Sequence, residues 1–408
     1  MNIEGQPLTA EVMVIGAGPA GAATALGLAT AGAHVVVVDD GSDITPGIRL
    51  VTPAARQGLH RLGIDDDLHP ITQIEWSNGT RSGITRWPSR QTAGSIDRVQ
   101  LHHRLRARLD DAGVTVLSGH RARSAVIERG FVRGAEVVDG EGRARVLRAS
   151  YTVIADGANS RFGRSLGSYR QPTWPFAVAH TATVHSPRSH SDTVALVDDL
   201  SDRAGIPITG FGWMVPAGDE RVGVGVMIMS TSPSFRVITP DAILDRLIAE
   251  HGERWQLDTT AGIEPNGGRI PLGGSVGPPA TATTVLVGDA AGLANPWSGL
   301  GLDAALDSAQ IAAEVVIDAL ADGSTALQRY PQRLADRFGP YYKVGRTINR
   351  LISTPAVSTR IGRGTVLSRP VAEAVARLAT DQVRPKRWGL AEVTYQLGRL
   401  ASIFAPGR

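Results

Sequence analysis

Val12-Met13-Val14-Ile15-Gly16-Ala17-Gly18-Pro19-Ala20-Gly21 is an apolar run that breaks into a GxGxxG turn, and a segment of small residues follows it. Each glycine has its own reason to be there. Gly16 permits the tight turn, Gly18 lets the backbone approach a pyrophosphate, and Gly21 lets the next helix lie close to the sheet. The N-terminus of that helix then offers unpaired N–H groups and partial positive charge to phosphates. Working outward, the pattern predicts a strand over Val12–Ile15, a helix over Ala20–Ala31 closed by Gly32, and a strand over Val35–Val38. Asp39 falls at the end of that second strand, where a carboxylate can accept hydrogen bonds from a ribose diol; Asp40 is the alternative partner. Strand, turn, helix, strand and acid in this order specify a dinucleotide site without separating FAD from NAD. The nearly uncharged stretch Val12–Val38 could be mistaken for a membrane span, but its glycines and Pro19 favour buried strands around a packed helix.

Two later segments narrow the choice. Val285-Leu286-Val287-Gly288-Asp289-Ala290-Ala291-Gly292 is an apolar strand ending in Gly-Asp. Asn295-Pro296-Trp297-Ser298-Gly299-Leu300-Gly301 and a helix over Leu302–Leu320 come next. Asp289 can bond a ribityl or ribose hydroxyl, and the glycine turn can aim N–H groups at the N1–C2=O edge of a flavin, where charge develops on reduction. Between the first and last segments, Ile154-Ala155-Asp156-Gly157-Ala158-Asn159-Ser160-Arg161 is another apolar strand ending in Asp-Gly.

Together these segments resemble the glutathione-reductase-type FAD enzymes, and within them the geranylgeranyl reductase and aromatic hydroxylase branches, over nearly the whole chain. The resemblance implies that FAD is held by Gly16, Gly18, Pro19, Ala20, Gly21, Asp39 or Asp40, Arg98, Ala122, Asp156, Gly157, Gly288, Asp289, Pro296, Gly299, Leu300, Gly301 and Leu302. For Arg98 the alternative role is a surface ion pair. Three features resemble the geranylgeranyl reductase branch. These are Gly288–Pro296 with Gly292 after the paired Ala, the strand Gly210–Pro216 carrying Trp213 and followed by Val222-Gly223-Val224-Gly225, and the tail Phe338–Arg346. Trp213 would line the substrate cavity or, alternatively, simply fill core. Two features depart from that branch. Thr45-Pro46-Gly47-Ile48-Arg49-Leu50 stands where the branch has a Cys motif, and Gly299-Leu300-Gly301 replaces Gly-Glu-Gly. Arg49 is similar to the arginine that hydroxylases place near flavin or substrate.

The resemblance implies an enzyme in which reduced FAD saturates C=C bonds of an isoprenoid or other lipophilic substrate, with Trp213, Trp297 and Arg49 as cavity candidates and no proton donor assigned. The alternatives are an FAD-dependent monooxygenase and a non-catalytic flavin-binding redox protein. NAD(P)H, or a protein electron donor such as a ferredoxin, would reduce the flavin. Only one dinucleotide fingerprint is present, so a nicotinamide would dock without a domain of its own. Flavin halogenases share the fold but need a lysine, and no lysine precedes Lys343.

Composition bounds the rest. The 408 residues are 42% hydrophobic and 20% charged, a globular composition, and too long for one ordinary core. With no cysteine, disulfides, thiolate metal sites, iron–sulfur clusters and cysteine nucleophiles are excluded. No secretory signal is visible, so a cytoplasmic location is expected. From Tyr341 to Arg408 there are 12 Lys/Arg against 3 acidic residues, although the whole chain carries only +3. That basic tail would suit peripheral contact with an anionic membrane; no nucleic-acid motif accompanies it. Leu390, Val393, Leu397, Leu400 and Phe404 recur at helical spacing there, and packing on the protein itself is favoured over a membrane-surface helix. Gly273-Gly274-Ser275-Val276-Gly277 matches GxSxG, but Pro278-Pro279 follows rather than a helix, so it is a loop and not a nucleophile elbow. His180, His185 and His190 have no metal-ligand spacing, and Asp65-Asp66-Asp67 reads as a solvated turn.

The expected fold class is α/β: a discontinuous Rossmann-like FAD domain with an inserted, mainly antiparallel β-sheet substrate domain and a helical C-terminal tail. The boundaries are 1–75, 97–165 and 281–325 for the FAD-binding parts, 76–96 and 166–280 for the substrate sheet, and 326–408 for the tail.

Overall fold

A computed structural model of the chain describes residues 8–41, 46–79, 81–88, 92–260, 262–383 and 389–404. Thr45, in the stretch that departs from the reductase pattern, lies outside the described residues.

The first sheet is built on strands whose side chains are apolar without alternation. That is what a strand buried on both faces requires. Thr115–Ser118, Val35–Asp39, Leu8–Ile15 and Ala144–Ile154 lie side by side and parallel, and Thr284–Leu286 adds to the end of Ala144–Ile154. Register decides where the site falls. Ile15 pairs with both Val38 and Ile154, and Ile154 pairs with Leu286. The carboxyl ends of these strands are therefore level, and the Gly16 turn, Asp39, Asp156 and Asp289 all emerge at one edge, the edge at which open α/β sheets bind ligands. Ala144–Ile154 is longer than its expected end segment. Its first half pairs antiparallel with Phe131–Val138, which pairs with Arg121–Glu128, making a hairpin extension that the sequence reading did not resolve.

Helix Pro19–Thr30 packs against helix Leu302–Asp322 through small residues. A Cβ on Gly27 would lie 3.0 Å from the Ala313 methyl, so the backbones approach at ordinary contact only because that position is glycine.

The second sheet has the order Asn266–Pro271, Phe176–His185, Arg221–Met229, Gly210–Pro216, Thr193–Val197, Gln73–Asn78 and Arg81–Arg86. All neighbours are antiparallel except Thr193–Val197 and Gln73–Asn78. Helix Pro240–His251, absent from the sequence reading, packs on this sheet through Ile243, Leu244, Leu247 and Ile248, with Trp255 fully buried beside it. Its apolar spacing is the signal that would have revealed it. A small sheet, Ile48–Val51 with Ala93–Asp97 and His69–Ile71, places Arg49 between the two large sheets.

The tail forms helices Arg329–Ile352, Pro355–Leu367, Arg369–Ala379 and Leu390–Phe404. The last of these corrects an expectation. It packs through Ala391, Tyr395 and Gly398, whereas Leu390, Val393, Leu397 and Leu400 remain between 41% and 61% exposed. The apolar stripe faces outward because the small residues on the other side fit against Val344, Ile348, Ala374 and Leu378. Among the described residues no helix is long and apolar enough to cross a membrane.

Candidate active site

The turn after the first strand has the three glycine environments its motif requires. Gly16 has φ +99°, and a Cβ there would sit 2.4 Å from the Ala155 carbonyl oxygen. A Cβ on Gly21 would sit 1.9 Å from the Gly16 oxygen. Gly18, by contrast, has nothing within 4 Å of its Cβ position, so it leaves open space at the start of the helix. Pro19 follows as the first helical residue, where a missing N–H costs nothing. Asp39 accepts a hydrogen bond from the Ala17 N–H at 3.1 Å and is thereby held against the turn. Asp40 beside it is exposed. Ala122 is half-buried in strand Arg121–Glu128, two residues after His120, whose N–H donates to the Asp39 carbonyl at 2.9 Å.

The other two segments close on the same turn. Gly16 touches the end of the Asp156 strand. A Cβ on Gly288 (φ +57°) would lie 2.9 Å from the Ala20 methyl, which presses the Asp289 turn against the first helix. Asp156 accepts from the Phe162 N–H at 3.0 Å through one oxygen; the other is buried without a partner, and burial raises its pKa. Gly157 (φ +76°) leaves open space, like Gly18.

Asp289 faces Arg49 and Arg98 across the site. Burial pushes the carboxyl pKa up, and the two guanidinium groups oppose that shift. Arg49 is lowered to about 10 by burial first and by the neighbouring Arg98 second. Arg98 is half-buried and lines the cavity, so it is not the surface ion pair considered as its alternative. Its helix, Arg98–Asp111, is fixed by Asp97, which accepts from the Val99 and Gln100 N–H groups at 2.7 and 3.2 Å and pairs with Arg221 at 2.7 Å.

The Pro296–Gly301 loop is rigid for identifiable reasons. Asn295 Oδ1 accepts from the Trp297 and Ser298 N–H groups at 2.9 and 3.2 Å, and its Nδ2 donates to the Tyr341 hydroxyl at 3.1 Å. Asn349 donates to the Pro296 carbonyl at 2.9 Å. The tail helices thus hold the loop in place. Gly299 has φ +68°, and a Cβ there would strike the Met227 sulfur at 2.4 Å; a Cβ on Gly301 would lie 3.3 Å from Asp289 Oδ1. Leu302, buried, starts the helix behind them.

A cavity of about 600 Å³ extends from this edge into the second sheet. Its lining includes Arg49, Arg98, Asp289 and Gly299–Leu302, together with Trp76, Trp87, Leu196 and Ile361. Trp213 and Trp297 both line it. Trp213 also packs with core residues. Gly225 makes room for it: a Cβ there would lie 2.3 Å from the indole. The open space at Gly18 and Gly157, the orphan oxygen of Asp156, and the two cations around Asp289 are features that an FAD would fill, satisfy and use.

Two acidic residues in the lining, Asp198 and Asp303, escaped the sequence reading. Asp198 accepts from Asn78 Nδ2 at 2.7 Å and from the Thr365 hydroxyl at 3.1 Å, and burial raises it from 3.8 to about 6. The folded chain therefore keeps a proton that the unfolded chain releases between these values. Stability is full below pH 3.8, falls as pH rises through that window, and the loss is complete above about 6. Asp198→Asn should remove its share of the slope, leaving that of Asp303 and the other buried acids, and stabilise the protein at pH 8 by at most about 3 kcal/mol. Denaturant melts from pH 4 to 8 check this; parallel wild-type and variant curves would contradict it.

The rejected motifs stay apart from the cavity. Ser275 is buried in a bend with its hydroxyl unpartnered, and strand Val276–Gly277 follows rather than a helix. His180 pairs with Asp241 at 2.6 Å and His185 with Glu220 at 3.0 Å, and no metal-holding cluster is found among the described residues. The Asp65–Asp67 turn is more engaged than expected, because Asp65 meets Arg56 and His60 and Asp67 meets Arg104.

Residues 11–355 match the family described as lycopene cyclase protein. The chain is 30% identical to a menaquinone reductase of Mycobacterium tuberculosis, over 92% of this chain and 93% of that one. It is 29% identical to digeranylgeranylglycerophospholipid reductase 1 of Methanopyrus kandleri, over 84% and 90%. Among solved structures, a geranylgeranyl bacteriochlorophyll reductase-like protein of Thermoplasma acidophilum superposes with a TM-score of 0.74 at 20% identity, covering 98% of this chain and 97% of that one.

Proposed function

Because the chain belongs to the lycopene cyclase protein family, with reductases of menaquinone and of digeranylgeranylglycerophospholipids among its relatives, we propose that it is an FAD-dependent reductase that saturates C=C bonds of an isoprenoid lipid. The observation that carries this reading is one largely apolar cavity lined both by Arg49, Arg98 and Asp289 and by Trp76, Trp87 and Leu196. Bound FAD supplies the hydride chemistry. The chain does the rest. Gly16, Gly18 and Gly21 shape the phosphate turn, and Asp39, Asp156 and Asp289 receive hydroxyls. Arg49 and Arg98 supply fixed positive charge where the reduced cofactor is anionic. Trp213, Trp297 and their apolar neighbours orient a prenyl chain and exclude water.

NAD(P)H or a protein donor supplies the electrons, docking without a second dinucleotide domain. The substrate reaches the site from a lipid surface. In support, the outward Leu390, Val393, Leu397 and Leu400 stripe lies on a tail with 12 Lys/Arg against 3 acids, a combination suited to an anionic bilayer. Replacing Leu397 and Leu400 together by Glu should lower co-sedimentation with anionic vesicles at least about fivefold and leave FAD binding unchanged. Equal sedimentation of the two proteins would rule the contact out.

Arg49 in the flavin end favours a second reading, a monooxygenase. Product mass separates the two. Incubation with isoprenoid lipids and a reductant without oxygen should give a product heavier by two hydrogens. A product gaining one oxygen atom, formed only aerobically, would establish the rival instead.

A further inference from the structure

We propose that Asp303 delivers the proton that completes C=C reduction. The inference rests on the reductase reading above, which leaves the proton donor unassigned. Asp303 is the second residue of helix Leu302–Asp322, directly after the Gly299–Gly301 turn, and it lines the same cavity. Leu300 leaves no acid in the turn itself.

Three acids line that cavity, and two have other engagements. Asp289 faces Arg49 and Arg98, which favour its carboxylate form. Asp198 is held by Asn78 and Thr365. Asp303 accepts one hydrogen bond, from the Ala304 N–H at 3.0 Å, and no cation pairs with it among the described residues.

The groups around it explain why. On its own helix Asp307 lies one turn on. Helix Arg329–Ile352 brings Arg337, Tyr341 and Tyr342, and Asp381 follows helix Arg369–Ala379. Arg337 is committed to Asp307 at 2.7 Å and to Asp381 at 3.2 Å, and Arg61 lies 3.7 Å from Asp307. The two tyrosine hydroxyls donate to the Leu378 and Leu293 carbonyls. Arg49, Arg98 and Asp289 line the same cavity. Burial raises Asp303 from 3.8 to about 6, with Asp307 and Asp381 adding to the shift and Arg337 opposing it. A buried carboxyl with no cation partner and an opening to the substrate cavity is placed as a general acid requires.

Saturation of a C=C bond places a hydride on one carbon and a proton on the other. Reduced flavin is the hydride source. The Asp303 O–H bond breaks, the new C–H bond forms with the electron pair of the π bond, and the carboxylate regains its proton from solvent on the Asp307–Asp381 side.

The test uses full-length, FAD-loaded wild type, Asp303→Asn and Asp303→Glu. FAD affinity should stay within about threefold in both variants. Anaerobic reoxidation of pre-reduced protein by a polyprenyl lipid should slow by about 10²–10⁴-fold in Asp303→Asn and recover in part in Asp303→Glu. Without FAD, the infrared C=O band of a protonated carboxyl should disappear from wild type between about pH 5 and 8, and that component should be missing from Asp303→Asn. Reoxidation of Asp303→Asn within about threefold of wild type, or an unaltered infrared titration, overturns the proposal while the reductase reading stands. Failure of wild type with every isoprenoid alkene overturns both, and the infrared titration then reports only that Asp303 titrates.

Discussion

Gly18→Val should fold as the wild type does and bind FAD at least about 100-fold more weakly. The reason is the asymmetry among the three glycines of the turn. Side chains at Gly16 or Gly21 would collide with backbone oxygens at 2.4 and 1.9 Å, so substitution there damages the fold itself. A side chain at Gly18 meets no protein atom within 4 Å and projects into the space assigned to the pyrophosphate. Thermal melts without cofactor should therefore coincide for wild type and Gly18→Val, and Gly21→Val should melt well below both. Fluorescence titration measures the loss of FAD. Wild-type affinity in Gly18→Val would place the dinucleotide elsewhere.

Asp289→Ala should be the most damaging single change at the flavin end. It removes the acid that Arg49 and Arg98 share and leaves two half-buried cations facing each other. Electrostatically coupled groups of this kind interact by about 0.5–3 kcal/mol, so a stability loss in that range is expected, and the acid proposed to receive a flavin-side hydroxyl is lost with it. Denaturant unfolding should show that loss in the apo chain, and FAD should no longer protect. Arg49→Met added to Asp289→Ala should recover part of the stability, since it relieves the exposed repulsion. Additive losses in the double variant would mean that Arg49 and Asp289 do not interact.

The GxGxxG turn was legible because its signal is local: glycines at fixed offsets, between an apolar run and a small-residue helix. The convergence of three segments was legible because each apolar strand runs into a glycine turn, two of them with an acid beside the glycine, and strand ends in a parallel sheet come level. The cavity acids were not legible, for physical reasons. Asp303 reads as an ordinary first-turn acid favoured by the helix dipole, and its environment is created by tail residues such as Tyr341 and Asp381. Asp198 reads with Asp199 as a polar turn until Thr365, 167 positions away, folds over it. The leucine spacing of Leu390–Phe404 announced a helix but not which side would meet the protein, because Gly398 and Ala391 fit the neighbouring helices more closely than leucine can.

The direct test is the amount and identity of flavin taken up by the purified chain. Protein offered FAD, freed of excess and then denatured should release one FAD per chain, and FMN offered alone should bind far more weakly because it lacks the adenosine half that the Gly16–Gly21 turn and Asp39 would hold. A colourless chain that takes up no FAD, or that binds FMN equally well, would contradict a site assembled from these segments.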